Sequence, residues 1–210
     1  MPSDERPDRE IPYDTLYEAK EYYWGKKPSS SCEKLLEIFG PIEGRPKLLD
    51  LGCGEGRNAI HLAKHGFEAT GLDKSRNGLK KTLELASSVG LEVKTILGDI
   101  KDCRLASGWD VIFSTGTIHY LPPEMREERF AHFKEVTVGG GVHAISVFVK
   151  KPFIPRAPDG NSAAPSFRSG ELLGYYWDWE ILFCTEEIFD CNSGGEPHKH
   201  AVNRVVARKV

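Results

Sequence analysis

The sequence lacks a long apolar run and has no excess of basic charge. No apolar stretch approaches the ~20 residues that a membrane-spanning helix needs. Its 28 Lys and Arg residues are outnumbered by 31 Asp and Glu residues, for a net charge of −3. This balance argues against a general binder of nucleic acid or anionic membranes, since either would carry a basic face. The first ten residues are charged throughout, so we expect no secretory signal.

Cysteine is sparse and its spacing is irregular. There are five cysteines, an odd number, and no C-x-x-C pair occurs. The pattern is typical of free thiols in a reducing compartment, so we expect a cytoplasmic protein. The paired ligand spacing of zinc sites is missing as well. Cys191 lies near His198 and His200, but unrelated loop positions explain that neighbourhood better than a ligand cluster, and we expect no metal.

The 210 residues are enough for one domain with its own hydrophobic core. Aromatic residues from Tyr13 to Trp24 recur near helical spacing and predict a first helix. A second helix is predicted from Ser30 to Gly40, with Glu33 completing a capping box at its start. We treat residues 1–40 as a tail and a helical lid, and residues 41–210 as the main domain.

From position 47 onward, strand and helix patterns alternate. Strands are predicted at 47–51, 67–73, 92–97, 110–114 and 142–149, and helices at 58–65, at 75–89 and from position 123. A glycine turn is predicted at 139–141. Two late strands, 179–184 and 202–208, have no helix between them and indicate an antiparallel hairpin. The sequence therefore predicts an α/β fold whose mostly parallel seven-stranded sheet has an antiparallel last strand and helices on both faces.

The strongest local signal is the glycine-rich segment Asp50–Gly56, which follows the first predicted strand and reads D-x-G-x-G-x-G. In an open α/β sheet, ligands bind at the carboxyl ends of the strands. Glycines there let the backbone approach a ligand closely, and the amides of the following helix favour an anion. The dinucleotide-binding pattern G-x-G-x-x-G/A requires a small residue at its last position, where this chain has Arg57. A nicotinamide oxidoreductase is therefore disfavoured. No P-loop Gly-Lys-Ser/Thr is present.

Asp50–Gly56 resembles motif I of the class I S-adenosylmethionine (SAM)-dependent methyltransferases, which have a Rossmann-like fold. The resemblance implies that Asp73 accepts the ribose hydroxyls and that Asp99 takes the adenine amine while Ile100 covers a ring face. Singly, each acid could be a helix cap or a turn residue, but their shared register across successive strand ends favours SAM. The cofactor-binding site implied in this way comprises Asp50, Gly52, Cys53, Gly54, Asn58, Asp73, Asp99, Ile100, Ser114 and Thr115.

Further segments look like the tellurite-resistance (TehB-like) methyltransferases. They are Tyr22–Gly25, the F-x-x-G-E-L of Phe167–Leu172 and the G-E-x-H that ends at His198. That family methylates tellurium and selenium oxyanions with SAM, which implies a small-molecule acceptor held by a histidine and two arginines. His198 matches the histidine, Lys199 stands where arginine is usual, and Arg204 stands in for the later arginine. Lysine keeps the charge but loses the bidentate fork.

The chemistry leaves several roles and functions open. A chalcogen oxyanion attacks through its own lone pair and needs only cations, which His198, Lys199 and Arg204 could supply. An oxygen or nitrogen acceptor would need a base, for which His119 is best placed. Structural roles explain His119 and His198 equally well. Methylation of a thiol, phenol or carboxylate and a SAM-binding module without catalysis remain alternatives, and the sequence leaves the oligomeric state open.

Overall fold

One mixed sheet organises the molecule. The structure, a computed structural model, describes residues 12–155, 165–192 and 196–210. In these ranges the sheet contains seven strands in the spatial order β3-β2-β1-β4-β5-β7-β6. The strands are β1 (Lys47–Leu51), β2 (Glu68–Asp73), β3 (Lys94–Leu97), β4 (Trp109–Thr115), β5 (Thr137–Val149), β6 (Glu180–Cys191) and β7 (His198–Arg208).

Strand direction confirms the predicted topology. The pairs β1–β2, β1–β4, β2–β3 and β4–β5 are parallel, whereas β7 is antiparallel to both β5 and β6. Among the described strands, β7 alone therefore runs against the others. The carboxyl ends of β1 to β5 meet at one edge of the sheet, which is the edge where the glycine-rich segment begins.

Helices cover both faces of the sheet. They are α1 (Tyr13–Leu16), α2 (Ser30–Phe39), α3 (Arg57–Lys64), α4 (Arg76–Ser88), α5 (Pro123–Val136) and α6 (Glu171–Gly174), with a 3₁₀ turn at Ile118–Tyr120. Successive strand residues point to opposite faces. Leu48 packs in the layer that includes Leu35 of α2 and Leu62 of α3, and Leu49 packs in the layer that includes Phe130 of α5. Each such buried side chain contributes about 1.5–3 kcal/mol.

Two helix starts test the capping predictions. Ser75 caps α4 as predicted, because its Oγ accepts a hydrogen bond from the amide of Gly78 (2.9 Å). The capping box at Ser30 is wrong, since Ser30 is already helical and Ser29 occupies the cap position without a side-chain cap hydrogen bond. The Ser29 amide instead donates to Asn58 Oδ1 (2.9 Å), so this helix end is held from outside.

Three other predictions are wrong in extent. The first helix ends at Leu16 rather than at Trp24, because the aromatic side chains that follow pack on one another and not along a helix. Residues 139–141 lie inside β5 and form no turn. The final strands are longer than predicted, so that His198 lies in β7 and not in a solvated loop.

Two predicted loops are only partly described. Most of the predicted 151–166 loop and the middle of the segment joining the last two strands, residues 156–164 and 193–195, fall outside the described ranges. No helix within those ranges is long and apolar enough to cross a membrane.

Candidate active site

A cavity of about 830 Å³ lies at the carboxyl edge of the parallel strands. Its floor is the glycine-rich segment, and residues from the ends of β2, β4 and β5 contribute to its walls. Tyr13, Tyr17 and Trp24 from the N-terminal part of the chain line it as well. This is the place where an open α/β sheet binds its ligand.

The glycine-rich segment is drawn tightly against β2. The amides of Gly52 and Cys53 both donate to the carbonyl of Leu72, at 2.7 and 3.0 Å. Gly52 has a φ of +75°, and a Cβ added there would lie 2.0 Å from Oγ1 of Thr117. Only glycine fits this position, so the loop presents bare backbone to the cavity.

Asp73 lines the cavity at the end of β2 and is held by backbone amides. Its Oδ2 accepts from the amide of Gly54 and its Oδ1 from the amide of Ser75, both at 2.8 Å. Burial raises the pKa of this carboxyl, and the two amide bonds act in the opposite direction. Each carboxylate oxygen has a second lone pair, so the group can still accept two hydroxyl donors from a ligand.

The ends of β3 and β4 supply the neighbouring walls. Asp99 and Ile100 both line the cavity, and Asp99 Oδ1 accepts from the amide of Lys101 (3.0 Å). Asn58 Nδ2 donates to Thr115 Oγ1 (3.2 Å), which joins the start of α3 to the end of β4. The structure therefore brings eight of the ten predicted cofactor residues to one cavity: Gly52, Cys53, Gly54, Asn58, Asp73, Asp99, Ile100 and Thr115.

Asp50 and Ser114 are the two predicted cofactor residues that lie behind the described cavity lining. Asp50 is 1% exposed, and burial raises the pKa of its carboxyl to about 7. Ser114 is fully buried, and its hydroxyl donates to the carbonyl of Leu51 (2.8 Å). Ser114 thereby supports the end of β1 from which the glycine-rich segment continues, and neither residue is part of the cavity lining.

Arg204 is the one predicted acceptor residue among the described residues that line the cavity. It lies opposite Ser146 of β5, which also lines the cavity, and its guanidinium forms an ion pair with Glu187 of β6. Burial lowers the pKa of the guanidinium. Phe148 and Phe189 add apolar surface on the same side. This part of the cavity thus combines one cation with aromatic walls.

The other three predicted acceptor residues lie outside the described lining. Lys199 points to the opposite face of β7 from Arg204 and donates to Asp190 (2.6 Å). His198 lies at the start of β7, with its Nε2 atom 2.9 Å from that of His200. His119 is fully buried. Its ring centroid lies 4.3 Å from the ring centroid of Tyr120 and 4.9 Å from that of Phe148.

Part of the region predicted to be a helical lid, residues 1–40, forms a third wall of the cavity. The Tyr13 and Tyr120 hydroxyls are 3.0 Å apart, and Trp24 Nε1 donates to the Tyr17 hydroxyl (3.1 Å). The run Ser29–Ser31 at the start of α2 also lines the cavity. A serine run before a helix is an available signal for such a wall, because helix amides point toward the space beyond it.

The family becomes clear when the chain is compared with known proteins. The family model described as "Tellurite resistance protein TehB" matches residues 17–205. The chain belongs to the TehB family. It is 30% identical over 202 residues to "Probable S-adenosyl-L-methionine-dependent methyltransferase TehB" of Haemophilus influenzae, covering 92% of this chain and 68% of that protein.

A solved structure and a second relative agree with this membership. The crystal structure of TehB from Haemophilus influenzae aligns with a TM-score of 0.76 and 26% identity, covering 94% of this chain and 66% of that one. A Mycobacteroides abscessus protein named 2-heptyl-1-hydroxyquinolin-4(1H)-one methyltransferase is 30% identical over 155 residues, covering 72% of this chain and 66% of that protein. The chain thus spans about two thirds of the length of these relatives.

Membership of the TehB family defines the enzyme class and the cofactor. The protein is a SAM-dependent methyltransferase of the TehB type with a Rossmann-like fold, and its cofactor is SAM. The cavity fits that cofactor, since the position of Gly52 has no room for a Cβ and the carboxylate of Asp73 keeps lone pairs available for hydroxyls.

Proposed function

We propose that the protein transfers the methyl group of SAM to a small acceptor that carries an oxyanion, with tellurite and selenite as the first candidates. The observation that supports this most directly is the guanidinium of Arg204 in the cavity wall. A guanidinium presents a planar fork of donors that matches an oxyanion. Ser30 and Ser31, in the first turn of α2, line the same cavity, and the N-terminus of a helix favours an anion as well.

In this proposal the cofactor occupies the side of the cavity formed by β1, β2 and β3. Asp73 would accept the ribose hydroxyls, while Asp99 and Ile100 would hold the adenine. When bound, SAM supplies a methyl group that is already activated on a sulfonium. The part played by the chain is therefore to align the acceptor with that group and to exclude water.

Arg204 and Glu187 together would select the acceptor. The carboxylate of Glu187 already forms an ion pair with the guanidinium of Arg204. An incoming oxyanion must therefore compete with that carboxylate for the same donors. No histidine is present among the described residues that line the cavity. An acceptor that attacks through its own lone pair suits such a site, because it has no proton to lose.

A second candidate is methylation of an apolar small metabolite, and the side chains next to Arg204 favour it. Phe148, Phe189 and Val202 give this part of the cavity an aromatic and aliphatic surface. The volume of about 830 Å³ lies within the roughly 300–1,000 Å³ typical of small-molecule sites. A phenol or hydroxylated heterocycle would stack there and hydrogen-bond to the hydroxyl of Tyr120, which also lines the cavity. Its own hydroxyl proton would leave to solvent as the methyl group is transferred.

The deciding experiment measures release of S-adenosylhomocysteine by the purified protein. Selenite and tellurite are offered in parallel with thiols, phenols and carboxylic acids. We expect oxyanion turnover in which Arg204→Met raises the acceptor KM and leaves SAM affinity unchanged. Asp73→Asn is the matched control and should weaken SAM by about 10–100-fold, since a charged hydrogen bond contributes ~1.5–3 kcal/mol.

Each other outcome points to a different conclusion. Turnover of an organic acceptor alone would replace the first candidate with the second. SAM binding without turnover of any acceptor would favour a non-catalytic SAM-binding module. Oxyanion turnover that Arg204→Met leaves unchanged would remove Arg204 from the acceptor site. Glu187→Gln should lower the oxyanion KM, because it frees the guanidinium from its internal partner.

We also propose a setting for this activity. None of the five cysteines, all of which lie in the described ranges, forms a disulfide, which suits a reducing compartment such as the cytoplasm. The net charge of −3 favours a small-molecule partner over nucleic acid.

A further inference from the structure

A second polar cluster, formed by Cys191, His198 and His200, lies at the far end of the β6–β7 hairpin. Cys191 and His198 are paired in register, and His200 follows on the same face of β7 as His198. The thiol sulfur and the two ring nitrogens all lie within 4.8 Å of one another. The two Nε2 atoms are 2.9 Å apart. All three residues are half-buried.

The hydrogen bonding of His198 prepares its ring for ligation. Its Nδ1 lies 2.7 Å from the carbonyl oxygen of Glu196. A carbonyl only accepts, so Nδ1 carries the proton, and in the neutral ring Nε2 presents its lone pair toward the cluster. Metal-binding histidines typically donate their other ring N–H to a carbonyl or carboxylate in this way.

The dimensions of the cluster match a tetrahedral ion. A zinc ion with Zn–N bonds of about 2.0–2.1 Å and a Zn–S bond of about 2.3 Å holds its ligand atoms roughly 3.3–3.7 Å apart. The observed separations, from 2.9 Å up to 4.8 Å at most, differ from these values by about 1 Å or less. One sulfur and two imidazole nitrogens favour zinc over magnesium or calcium, which prefer oxygen ligands.

We propose that Cys191, His198 and His200 bind one zinc ion and leave its fourth position to water or an anion. Binding replaces the S–H bond of Cys191 with a zinc–sulfur bond, and the thiol proton goes to solvent. The proton that His200 Nε2 donates to His198 Nε2 leaves that atom as His200 changes to its other neutral tautomer, so both Nε2 lone pairs are then available to the ion. The expectation of no metal rests on placing these residues in a loop. Two paired strands hold them instead, and pairing brings Cys191 beside His198.

The site would border the wall of the active-site cavity. The His200 ring packs 4.7 Å from the ring of Phe148 and 5.7 Å from that of Phe189, and both phenylalanines line the cavity. A bound ion would fix the His200 ring behind that wall. The inference does not depend on the proposed acceptor, because zinc binding is measured without any methyl transfer.

Cobalt substitution provides the test. The 210-residue chain, without an affinity tag and stripped with a chelator, is titrated with Co²⁺ and then with Zn²⁺ as competitor. We expect one equivalent of Co²⁺ to bind with a thiolate-to-cobalt charge-transfer band that Zn²⁺ abolishes. Cys191→Ser should remove the band and weaken binding by more than about tenfold. Cys184→Ser, at an exposed position of the same strand, should leave both unchanged.

A second measurement keeps the test independent of the variants. Thiol alkylation of the wild-type protein, followed by mass spectrometry, should slow at Cys191 when Zn²⁺ is added and stay the same at Cys184. Circular dichroism without metal establishes that Cys191→Ser is folded. Three results would each overturn the proposal. They are absence of the charge-transfer band in the wild-type protein, equal Co²⁺ affinity in Cys191→Ser and the wild type, and an alkylation rate at Cys191 that Zn²⁺ does not change.

Discussion

At the scale of single residues, Asp50 is the carboxyl most affected by the fold. It is 1% exposed, and its Oδ2 has no hydrogen-bond partner among the described residues. Burial raises its pKa to about 7, and the negative charge of Asp73 adds to the effect. The charge of Arg57 and the amide of Ala59 oppose the shift only in part. The native state therefore favours the neutral carboxyl.

This shift predicts how stability depends on pH. The folded pKa of about 7 exceeds the ordinary value of 3.8, so the stabilisation is complete below 3.8 and is lost as pH rises through about 7. The free energy of unfolding of the wild type should fall by up to about 1.4 kcal/mol per pH unit as Asp50 is forced to ionise. Asp50→Asn has no charge to form and should not show this decrease. We expect the melting temperature of the variant to gain on the wild type between about pH 5 and 8.

The comparison of the two proteins cancels the titration of the groups that do not interact with Asp50. Asp102→Asn, at an exposed position, is the matched control. A melting-temperature difference between Asp50→Asn and the wild type that stays constant over this pH range would show that Asp50 does not titrate as the fold implies.

At the scale of elements, the parallel strands were predictable and the chain ends were not. The bounds of β1 and the end of β2 at Asp73 follow from short apolar runs that stop at an acid or a glycine, which is local information. Eight of the predicted cofactor residues reach one cavity for the same reason, since each lies at or just after a strand end or at a helix start.

The elements that escape prediction depend on contacts between distant parts of the chain. Residues after Leu16 leave the helix because Tyr17 packs on Tyr23, and Tyr13 reaches Tyr120 across 107 positions. The pairing of β6 with β7 depends on the register of a hairpin, which no local pattern specifies. Proximity in the sequence groups Lys199 with Arg204, whereas strand alternation sends the two side chains to opposite faces.

One glycine of β2 links sheet and cofactor loop. A Cβ added to Gly71 would lie 2.5 Å from Sγ and 3.0 Å from Cβ of Cys53. Gly71→Ala should therefore push the loop toward the cavity, lower stability by about 1–3 kcal/mol and weaken SAM binding. Urea unfolding and calorimetric titration with SAM measure the two effects.

Two further variants make this prediction specific. Cys53→Ala combined with Gly71→Ala should recover part of both losses, since the sulfur that the added methyl group would meet is gone. Gly139→Ala is the control, because no described heavy atom lies within 4 Å of a Cβ at that position and its φ is not positive. Equal losses in Gly71→Ala and Gly139→Ala would contradict the packing argument.

At the scale of the whole molecule, we propose that residues 13–24 act as the lid of the cavity within the 1–40 region. A buried ion pair between Glu55 and Lys81 (2.7 Å) anchors them, because Lys81 Nζ donates to the carbonyl of Glu21 (2.6 Å). Asp14 accepts from the Ser75 hydroxyl (2.6 Å) at the start of α4. The anchors lie on the elements that hold the cofactor, so lid docking and SAM binding should reinforce each other.

Limited proteolysis measures this coupling. S-adenosylhomocysteine should slow tryptic cleavage after Lys20 in the wild-type protein. The double variant Glu55→Gln/Lys81→Met removes both charges and so leaves neither buried alone. It should be cut faster than the wild type, and the cofactor product should protect it less. Lys80→Met/Glu84→Gln removes an exposed pair on the same helix and should behave like the wild type. A cleavage rate that S-adenosylhomocysteine leaves unchanged in the wild type would mean that the segment packs over the cavity without responding to its occupant.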